Sequence, residues 1–302
     1  MTLSTLLEVL RLATGHLEKH GSASARLDAE VLLAHSLAIR RLDLYLQFDR
    51  PLGDDELIPY RSLIARRAKG EPVAYLVGHK EFMALEFDVS SSVLVPNPDT
   101  EVLVQLAVAW ARERGGTLGS GSAGPSASRG ELPPQPAASV RAADVGTGSG
   151  CIAVALAHYV PGVEVWASDD SQEALDVARH NVDKHGLFAR IHLCKGDLLE
   201  PLPGAYDLIC ANLPYVRAAT ALAAEVVAQP GHALYGGPSG AELVVRLLDG
   251  SPSRLKPAGR VMVEIDPSIL VDVVAAAERG YAGHRIHRDF GGQDRVLEAW
   301  IR

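Results

Sequence analysis

The chain has 302 residues, and its 29 lysine and arginine residues against 37 aspartate and glutamate residues give a formal charge of −8. Hydrophobic residues make up 47% and charged residues 22%, which excludes a wholly disordered chain, and the length predicts about two domains. A pI near 5.8 counts against an extended nucleic-acid surface, because such surfaces are usually strongly basic.

The same sequence gives no sign of a membrane span, a disulfide framework or a metal site. No apolar run approaches the roughly 20 residues that span a bilayer, and Glu8 interrupts the first apolar stretch, which argues against a signal peptide. The three cysteines form no CxxC pair, and the 11 histidines lack metal-binding spacings. We therefore expect a cytoplasmic protein without a resident metal.

Residues 1–74 are predicted to form a small helical domain. Apolar residues repeat at helical spacing in two segments, Leu3, Leu6, Leu7 and Leu10 in the first and Leu27, Val31, Ala34 and Ala38 in the second. A third helix is predicted to begin at the acidic residues 54–56 and to bury Leu57, Tyr60 and Ile64.

Residues 75–98 alternate apolar residues with turn formers and predict a β-hairpin linker, which ends at Pro96 and Pro98. A second domain, residues 99–302, is predicted to open with a helix capped near Asp99. Within it, 15 of the 25 residues of segment 115–139 are Gly, Pro or Ser, which predicts a flexible surface insertion.

From residue 140 onwards, short apolar strands alternate with helices. The predicted strands are residues 140–145, 163–167, 190–194, 206–211, 260–265 and 295–300, and the predicted helices are residues 151–158, 172–185, 242–248 and 269–279. This alternation predicts an α/β fold with a mostly parallel sheet covered on both faces. Ligands of such sheets bind at the carboxyl ends of the strands, where strand order reverses.

A glycine-rich turn connects the first of these strands to its helix. Its candidate cofactor-binding residues are Asp144, Gly146, Thr147, Gly148, Ser149 and Gly150, and Asp169 at the end of the next strand would take the two hydroxyls of a ribose. The GxGxG spacing differs from the GxGxxG of dinucleotide sites. The pattern resembles Rossmann-type methyltransferases that use S-adenosylmethionine. A turn without a ligand and a nicotinamide site remain alternatives on this motif alone.

The next strand ends in Gly196, Asp197 and Leu198. In the fold that the glycine motif resembles, Asp197 would face the amino group of the adenine, and Leu198 would pack on its ring. A surface aspartate at a strand end is common, so this pair gains its meaning from the glycine motif.

The most specific motif is Asn212-Leu213-Pro214-Tyr215, directly after an apolar strand. It resembles the (Asn/Asp)-Pro-Pro-(Tyr/Phe) turn of methyltransferases that alkylate planar nitrogens of amides or nucleobases. Such a nitrogen is a poor nucleophile, since its lone pair is delocalised. The Asn212 side-chain oxygen and the Leu213 carbonyl would hold its two protons, and Tyr215 would stack on the planar group. These four residues, with Asn212 also beside the cofactor, form the candidate catalytic turn.

Further segments extend the resemblance to one family. Residues 70–104 resemble the linker of the release-factor glutamine methyltransferases (the PrmC/HemK family), and DVGTGSGCIAVALA, GDLLEPLPGAYDLICANLPYV, HALYGGPSGAEL and DFGGQDRVLEA continue the match in order. The resemblance implies a Rossmann-type domain with a small N-terminal helical domain that docks the substrate. It also implies transfer of a methyl group from S-adenosylmethionine to the glutamine amide nitrogen in the Gly-Gly-Gln motif of class-I peptide chain release factors.

This chain departs from the family pattern at Leu213 and Asn97, where the family usually has proline and arginine, and at Asp170, where an apolar residue is usual. Asn97 affects a substrate contact in this interpretation, and Asp170 affects the edge of the adenine pocket. Gly291-Gly292-Gln293 copies the substrate tripeptide, and we interpret that as coincidence. Cys151 is interpreted as a packed residue, and Glu264 as structural, with a role on the substrate side as the alternative.

The sequence therefore predicts a methyltransferase that acts as a monomer on class-I release factors, with neither a membrane nor a nucleic-acid substrate. A glutamine of a ribosomal protein is the alternative acceptor within the same chemistry. A nucleobase amino group is a second alternative, which the pI disfavours. An inactive module that binds release factors is the alternative outside enzymes.

Overall fold

The computed structural model describes residues 4–118, 140–218 and 220–302. The described residues form eleven α-helices: α1 (Leu6–Lys19), α2 (Ala25–Ser36), α3 (Arg41–Leu44), α4 (Asp54–Arg67), α5 (Val73–Val77), α6 (Thr100–Leu118), α7 (Cys151–Tyr159), α8 (Gln172–Lys184), α9 (Ala224–Val227), α10 (Glu242–Gly250) and α11 (Leu270–Gly280). None of these described helices has the length and apolar character to cross a membrane.

Strands make up the rest of the regular structure. Within the described ranges they are β1 (His79–Phe82), β2 (Leu85–Asp88), β3 (Val140–Val145), β4 (Val163–Asp169), β5 (Ile191–Lys195), β6 (Tyr206–Ala211), β7 (Val216–Arg217), β8 (Tyr235–Gly237), β9 (Leu255–Glu264), β10 (Gly283–Arg288) and β11 (Asp294–Trp300). Strands β1 and β2 pair as the predicted hairpin, and β7 pairs with β8.

The chain divides into two compact units. The first runs to His79 and also includes Ala221–Gln229, and the second contains Lys80–Thr220 and Pro230–Arg302. Helix α9 therefore groups with the N-terminal helices, although it follows the candidate catalytic turn in sequence. The predicted domain boundaries at residues 74 and 98 assign Ala221–Gln229 to the second domain, whereas in the structure this segment groups with the first unit.

The first unit is built around amphipathic helices. Helix α1 begins with a capping box, in which the Glu8 backbone nitrogen donates to Thr5 Oγ1 at 3.3 Å and the Thr5 backbone nitrogen donates to Glu8 Oε2 at 2.8 Å. Helix α4 buries Leu57, Tyr60 and Ile64, which confirms the predicted face. The core cluster joins these residues to apolar side chains of α1 and α2.

The predicted face of α2 is only partly buried. Ala34 is buried, but Leu27 is 47% exposed, and the helix ends at Ser36, before Ala38. The buried face consists of Ala25, Asp28, Ala29, Glu30, Leu32, Leu33 and Ala34. A charged residue lies on this face because Arg67 Nε donates to Asp28 Oδ2 at 2.7 Å, and apolar periodicity does not detect a buried ion pair. Leu3 of the predicted first helix lies outside the described residues.

The second unit is organised by a seven-stranded sheet with the order β10-β11-β9-β6-β3-β4-β5. The pairs from β9 to β5 are parallel, which confirms the mostly parallel sheet, whereas β11 pairs antiparallel with β9 and β10. Strand β10 was not predicted. It is a partly exposed edge strand whose sequence, GHRIHR, lacks an apolar run.

Alternate residues of β3 enter two different cores, since successive side chains of a strand point to opposite faces. Val140 and Ala142 join the cluster that contains α6 and α7, and Ala143 and Val145 join the cluster that contains α10 and α11. Both faces of the sheet are therefore covered. Helix α6 continues through Leu118, four residues into the predicted insertion, and the remaining residues 119–139 lie outside the described part of the chain.

Strand β3 has β4 on one side and β6 on the other. From β3 the chain adds β4 and β5 on one side and then returns to add β6 on the other side. Strand order therefore reverses at β3, and such a reversal makes a crevice at the carboxyl ends of the strands. The glycine loop, Asp169, Asp197 and the candidate catalytic turn all follow strands that end at this edge.

Candidate active site

A cleft lies at the carboxyl ends of β3 to β6. The cleft is lined by Ser92, Val93, Leu94, Gly146, Gly148, Ser168, Asp169, Asp170, Ala174, Gly196, Asp197, Leu198, Asn212, Leu213, Pro214, His232, Ala233 and Leu243. Eight of the sequence-predicted site residues are in this set: Gly146, Gly148, Asp169, Asp197, Leu198, Asn212, Leu213 and Pro214.

The glycine loop needs glycine for two different reasons. Gly146 has a φ of 73°, and a Cβ on it would lie 2.7 Å from Leu213 Cδ2. Gly148 has a φ of 54°, and a Cβ there would meet nothing within 4 Å, so it would enter the cleft itself. The first glycine lets the loop pack on the catalytic turn, and the second leaves backbone open to a ligand.

Asp144 supports this loop from behind the cleft. It is completely buried, and it accepts hydrogen bonds from Thr147 Oγ1 at 2.6 Å and from the Ala153 backbone nitrogen at 3.1 Å. Burial raises the pKa of Asp144 to about 7, and the two hydrogen bonds oppose that rise. Asp144, Thr147, Ser149 and Gly150 are not among the residues that line the cleft.

Asp169 presents a carboxylate to the cleft at the end of β4. Its Oδ2 accepts from the Gly148 backbone nitrogen at 2.8 Å, and its Oδ1 accepts from the Ser171 backbone nitrogen at 3.0 Å. Burial raises the pKa of Asp169, while these two bonds and the charge of His232 lower it. The carboxylate is therefore held in one orientation by backbone groups on both sides.

The end of the cleft after β5 combines a charge with an apolar surface. Asp197 forms an ion pair with Arg246 on α10. Leu198 has a φ of 46°, and its carbonyl accepts from Ser168 Oγ at 2.7 Å. Leu243 of α10 lies across the cleft, so the pocket at this end has apolar walls and an acidic rim.

The candidate catalytic turn is held by side chains that are distant in sequence. Asn212 Nδ2 donates to Thr100 Oγ1 at 3.0 Å, and no partner for Asn212 Oδ1 is found among residues 4–118, 140–218 and 220–302. The Tyr215 hydroxyl donates to Glu264 Oε1 at 3.3 Å, and Tyr215 does not line the cleft. Burial and the neighbouring carboxylate raise the pKa of the Tyr215 hydroxyl.

Glu264 is fully buried at the end of β9. Burial raises its pKa to about 7, whereas the nearby Thr100 hydroxyl, the charge of Arg295 and the Tyr215 hydroxyl lower it. Its Oε2 lacks a hydrogen-bond partner of standard geometry among the described residues. Arg295, on β11, is 3.3 Å from Asp99 and 3.0 Å from Asp289.

The remaining sequence interpretations concern residues outside the cleft. Asn97 is exposed, and its Oδ1 accepts from the Asp99 backbone nitrogen at 3.1 Å at the start of α6. Gly291-Gly292-Gln293 is an exposed turn before β11. Cys151 is packed in the core as interpreted, and burial raises the pKa of its thiol to about 12. In the described ranges, no group of His, Cys, Asp or Glu residues could hold a metal ion.

Sequence reasoning missed several contributors to the site. Ser92 to Leu94 and His232 to Ala233 line the cleft, and Thr100 binds Asn212. The backbones of Gly236 and Gly240 pack on the catalytic turn. The glycines of the segment GGPSG are a signal in the sequence that points to close backbone contact, since glycine in a strand often marks a site where another backbone approaches closely.

Two family models match the chain. The PrmC N-terminal domain matches residues 8–78, and the methyltransferase small domain matches residues 131–248. The first match lies in the helical unit, and the second contains the glycine loop and the Asn212 turn.

Among solved structures, the hMettl16 catalytic domain in complex with the MAT2A 3'UTR hairpin 6 is similar to this chain, with a TM-score of 0.52. The two are 19% identical in sequence, and the similarity covers 79% of this chain and 81% of that chain. At this identity the similarity concerns the fold alone, which is Rossmann-like.

Full-length relatives provide a more specific comparison. The release factor glutamine methyltransferase of Rhodopirellula baltica is 36% identical over 300 residues, covering 97% of this chain and 95% of the relative. The proteins of the same name from Moorella thermoacetica and Geobacter sulfurreducens are each 38% identical, covering 97% of this chain and 96% and 95% of the relatives. The chain belongs to the release factor glutamine methyltransferase family.

Proposed function

We propose that this protein methylates the side-chain amide nitrogen of the glutamine in the Gly-Gly-Gln motif of class-I peptide chain release factors, with S-adenosylmethionine as the methyl donor. The observation that carries the proposal is the Asn212 turn, whose amide nitrogen is bound to Thr100 at 3.0 Å while its amide oxygen has no partner among the described residues. An acceptor oxygen at the edge of this cleft fits an amide NH₂ group.

The cleft fits the proposed cofactor on the evidence of its own residues. Gly148 leaves open a space that a Cβ would fill. Asp169 presents a carboxylate of fixed orientation at the end of the strand that follows the glycine loop, which is where ribose hydroxyls are bound in folds of this type. Asp197 and Leu198 would hold the adenine, and Asp144 would keep the glycine loop in shape from behind. When bound, S-adenosylmethionine supplies a methyl group on a positively charged sulfur.

The catalytic turn would act on the acceptor amide by positioning. Asn212 Oδ1 and the Leu213 carbonyl would each accept one of the two amide protons, which fixes the plane of the group and aims its nitrogen. The partial negative charge of these oxygens also favours the positive charge that develops on the nitrogen during transfer. The methylated nitrogen then loses one proton to solvent.

Tyr215 and Leu213 complete the proposed site. The hydroxyl of Tyr215 is tied to Glu264 at 3.3 Å, which limits rotation of its ring, and we propose that the ring face flanks the acceptor amide. Leu213 is 4% exposed and packs on Gly146, so its side chain is committed to the core and its backbone carbonyl serves the acceptor. A leucine provides the same carbonyl as the family's usual proline.

The direct test is transfer of a labelled methyl group from S-adenosylmethionine to a purified class-I release factor. We expect label on the wild-type release factor and none on a variant whose Gly-Gly-Gln glutamine is replaced by alanine. Ribosomal proteins and ribosomal RNA are offered in parallel. Label on those acceptors alone would contradict the proposal, and binding of the release factor without any label would indicate an inactive docking module.

A matched control concerns this chain's own Gly291-Gly292-Gln293 turn. Gln293→Ala is expected to transfer methyl groups to the release factor at the wild-type rate, because the turn is exposed and its hydrogen bond to Asp289 uses the backbone nitrogen of Gln293. Label on the wild-type enzyme that disappears in this variant would show self-methylation. The proposed acceptor also implies that the protein works in the cytoplasm, where release factors meet the ribosome.

A further inference from the structure

Among the described residues of the second unit, four large apolar side chains are exposed: Phe188, Tyr235, Val271 and Phe290. Single exposed apolar residues are ordinary on a protein surface, so their positions matter more than their number. Three of the four lie at the edge of the sheet where the parallel strands end. Tyr235 pairs with Val216, which directly follows the catalytic turn. Val271 follows the end of β9, and Phe290 precedes β11, which runs antiparallel to β9.

Phe290 is the most exposed of the four, at 92%, and it lies on a turn that is held in one shape. The Asp289 backbone nitrogen donates to the Gln293 carbonyl at 2.9 Å, and the Gly292 backbone nitrogen donates to the Asp289 carbonyl at 3.0 Å. The Gln293 backbone nitrogen donates to Asp289 Oδ1 at 2.9 Å. Because the backbone of this turn is already ordered, a partner that packs on Phe290 would not have to order it.

The turn is fixed relative to Asn212 through Arg295. Arg295 Nε and Nη2 donate to Asp289 Oδ2 at 3.1 and 3.0 Å, and Arg295 Nη2 also lies 3.3 Å from Asp99 Oδ2. Asp99 directly precedes Thr100, whose hydroxyl binds Asn212. In the sheet, β9 lies between β6 and β11, which places the axes of β6 and β11 about 10 Å apart. Phe290 therefore lies close to the catalytic turn, at the same edge of the sheet.

We propose that Phe290 is a docking residue for the acceptor protein, and that its ring packs on the loop that carries the Gly-Gly-Gln motif. The proposal rests on the proposed function for the identity of this acceptor. Two consecutive glycines offer no side chain to bind, so an enzyme that recognises the loop must contact its backbone and the residues beside it. A flat aromatic ring packs closely on a glycine backbone, since no Cβ holds the ring away.

The size of the exposed surface favours the acceptor loop over a second copy of this chain. Tyr235, Val271 and Phe290 supply far less than the roughly 1,200 Å² that a stable dimer buries. An acceptor protein that inserts its glutamine into the cleft gains further contacts there. The three side chains can therefore add binding energy to that insertion without forming an interface of their own.

Phe290→Ala tests the proposal, and Phe188→Ala is the matched control. Phe188 is 70% exposed and precedes β5, so it lies at the opposite edge of the sheet. We expect the KM for the release factor to rise roughly tenfold or more in Phe290→Ala, with kcat within about threefold of the wild type. Phe290→Tyr keeps the ring and should keep the wild-type KM, and Phe188→Ala should change neither constant. A wild-type KM in Phe290→Ala, or equal effects of the two alanine variants, would overturn the proposal.

Melting temperatures and cofactor affinity separate docking from damage to the fold or to the cleft. Both side chains are exposed, so we expect Phe290→Ala and Phe188→Ala to melt as the wild type does. Calorimetry should give the same affinity for S-adenosylmethionine in both variants. A loss of cofactor affinity in Phe290→Ala would show that the turn acts through the cleft, which would contradict a docking role.

A photoreactive phenylalanine analogue at position 290 detects the contact without methyl transfer. We expect a crosslink to the peptide of the release factor that contains Gly-Gly-Gln, and none from the same analogue at position 188. A crosslink from position 290 to another part of the release factor, or to a second copy of the enzyme, would overturn the proposal. Absence of label on the release factor with the wild-type enzyme would instead count against the proposed function, and the crosslink would still decide whether Phe290 docks this protein.

Discussion

Asn212 carries most of the chemistry that we assign to single residues. Its amide is bound on the nitrogen side by Thr100 and is open on the oxygen side. It also lines the cleft in which Gly146, Gly148 and Asp169 lie. The residue therefore has two environments, the buried Thr100 hydroxyl that holds its amide nitrogen and a cleft into which it can present an acceptor oxygen.

For Asn212→Ala we predict a loss of methyl transfer of roughly 100-fold or more, since both the aim and the charge stabilisation of the acceptor amide are lost. Cofactor affinity, measured by calorimetry, should stay within about threefold of the wild type, because the glycine loop and Asp169 are unchanged. A wild-type rate in this variant would contradict the proposed mechanism.

Asp144 makes the stability of the protein depend on pH. Its pKa is raised from 3.8 to about 7 in the folded protein, so the folded state binds a proton more tightly than the unfolded chain does. This contribution to stability is complete below the unfolded pKa and is lost as the pH rises towards about 7.

Asp144→Asn is neutral at every pH and keeps an oxygen for the Thr147 and Ala153 donors. We predict that the melting temperature of Asp144→Asn minus that of the wild type increases from pH 5 to pH 8. Only the wild type loses, over this range, the stability that comes from the bound proton. Scanning calorimetry at several pH values measures the difference. Asp170→Asn, at an exposed position, is the control, and a difference that is constant with pH for Asp144→Asn would refute the prediction.

Sequence reasoning located eight of the cleft residues because they end or follow strands of a parallel sheet, and the ends of those strands meet at one edge. It did not locate Thr100, which is 112 residues before Asn212 and opens a helix of ordinary sequence. Its bond to Asn212 depends on how α6 packs on the sheet, and no local pattern encodes that packing.

At the scale of elements, β7 and β8 brace the backbone of the catalytic turn. A Cβ on Gly236 would lie 2.3 Å from the Pro214 carbonyl oxygen, and one on Gly240 would lie 2.3 Å from the Tyr215 carbonyl oxygen. Both distances are far below van der Waals contact, and both involve backbone atoms that cannot rotate away.

For Gly236→Ala we predict a fall in methyl transfer of roughly tenfold or more, since the Pro214 backbone must move and carry the acceptor oxygens with it. The matched control is Gly231→Ala, where a Cβ would make only ordinary contact with the Tyr235 ring at 3.8 Å. Transfer rates and melting temperatures of both variants measure the effect. Equal rates would show that the turn does not depend on this packing.

Two errors at this scale have physical causes. The face of α2 was assigned from apolar spacing, but Asp28 is 5% exposed and Glu30 is 3% exposed on the true buried side, where Arg67 and Tyr45 satisfy them. Strand β10 was missed because an edge strand has one unpaired side and needs few apolar residues. Buried strands such as β3 and β6 were predicted well, since burial on both faces demands apolar residues.

At the scale of the whole molecule, Arg67 holds together distant parts of the first unit. Its Nε donates to Asp28 of α2 and its Nη2 donates to Glu225 of α9, both at 2.7 Å. Its side chain is 5% exposed, and Gly70 packs on Ala224 beside it. The segment of α9 returns to the first unit from a position that follows the catalytic turn in sequence.

Arg67→Ala is predicted to destabilise the first unit by about 3–5 kcal/mol, because the buried Asp28 carboxylate loses its cation and keeps only the hydrogen bonds from Ser22 and Ser24. Hydrogen exchange of α1, α2 and α4 measures this, and cofactor affinity should not change, since the cleft residues belong to the second unit. Arg66→Ala is the control. Its ion pair with Glu71 is half exposed, so its loss should cost about 1 kcal/mol or less. Equal effects of the two variants would contradict the prediction.

The amino-acid sequence alone determined the class of fold, the order of the motifs and the family resemblance, because these depend on local periodicity and on residues close together in the chain. Tertiary packing determined the contact of Asn212 with Thr100, the contact of Tyr215 with Glu264, and the return of α9 to the first unit. Those contacts join residues tens to hundreds of positions apart. Their formation depends on where helices and strands pack, which only the folded chain establishes.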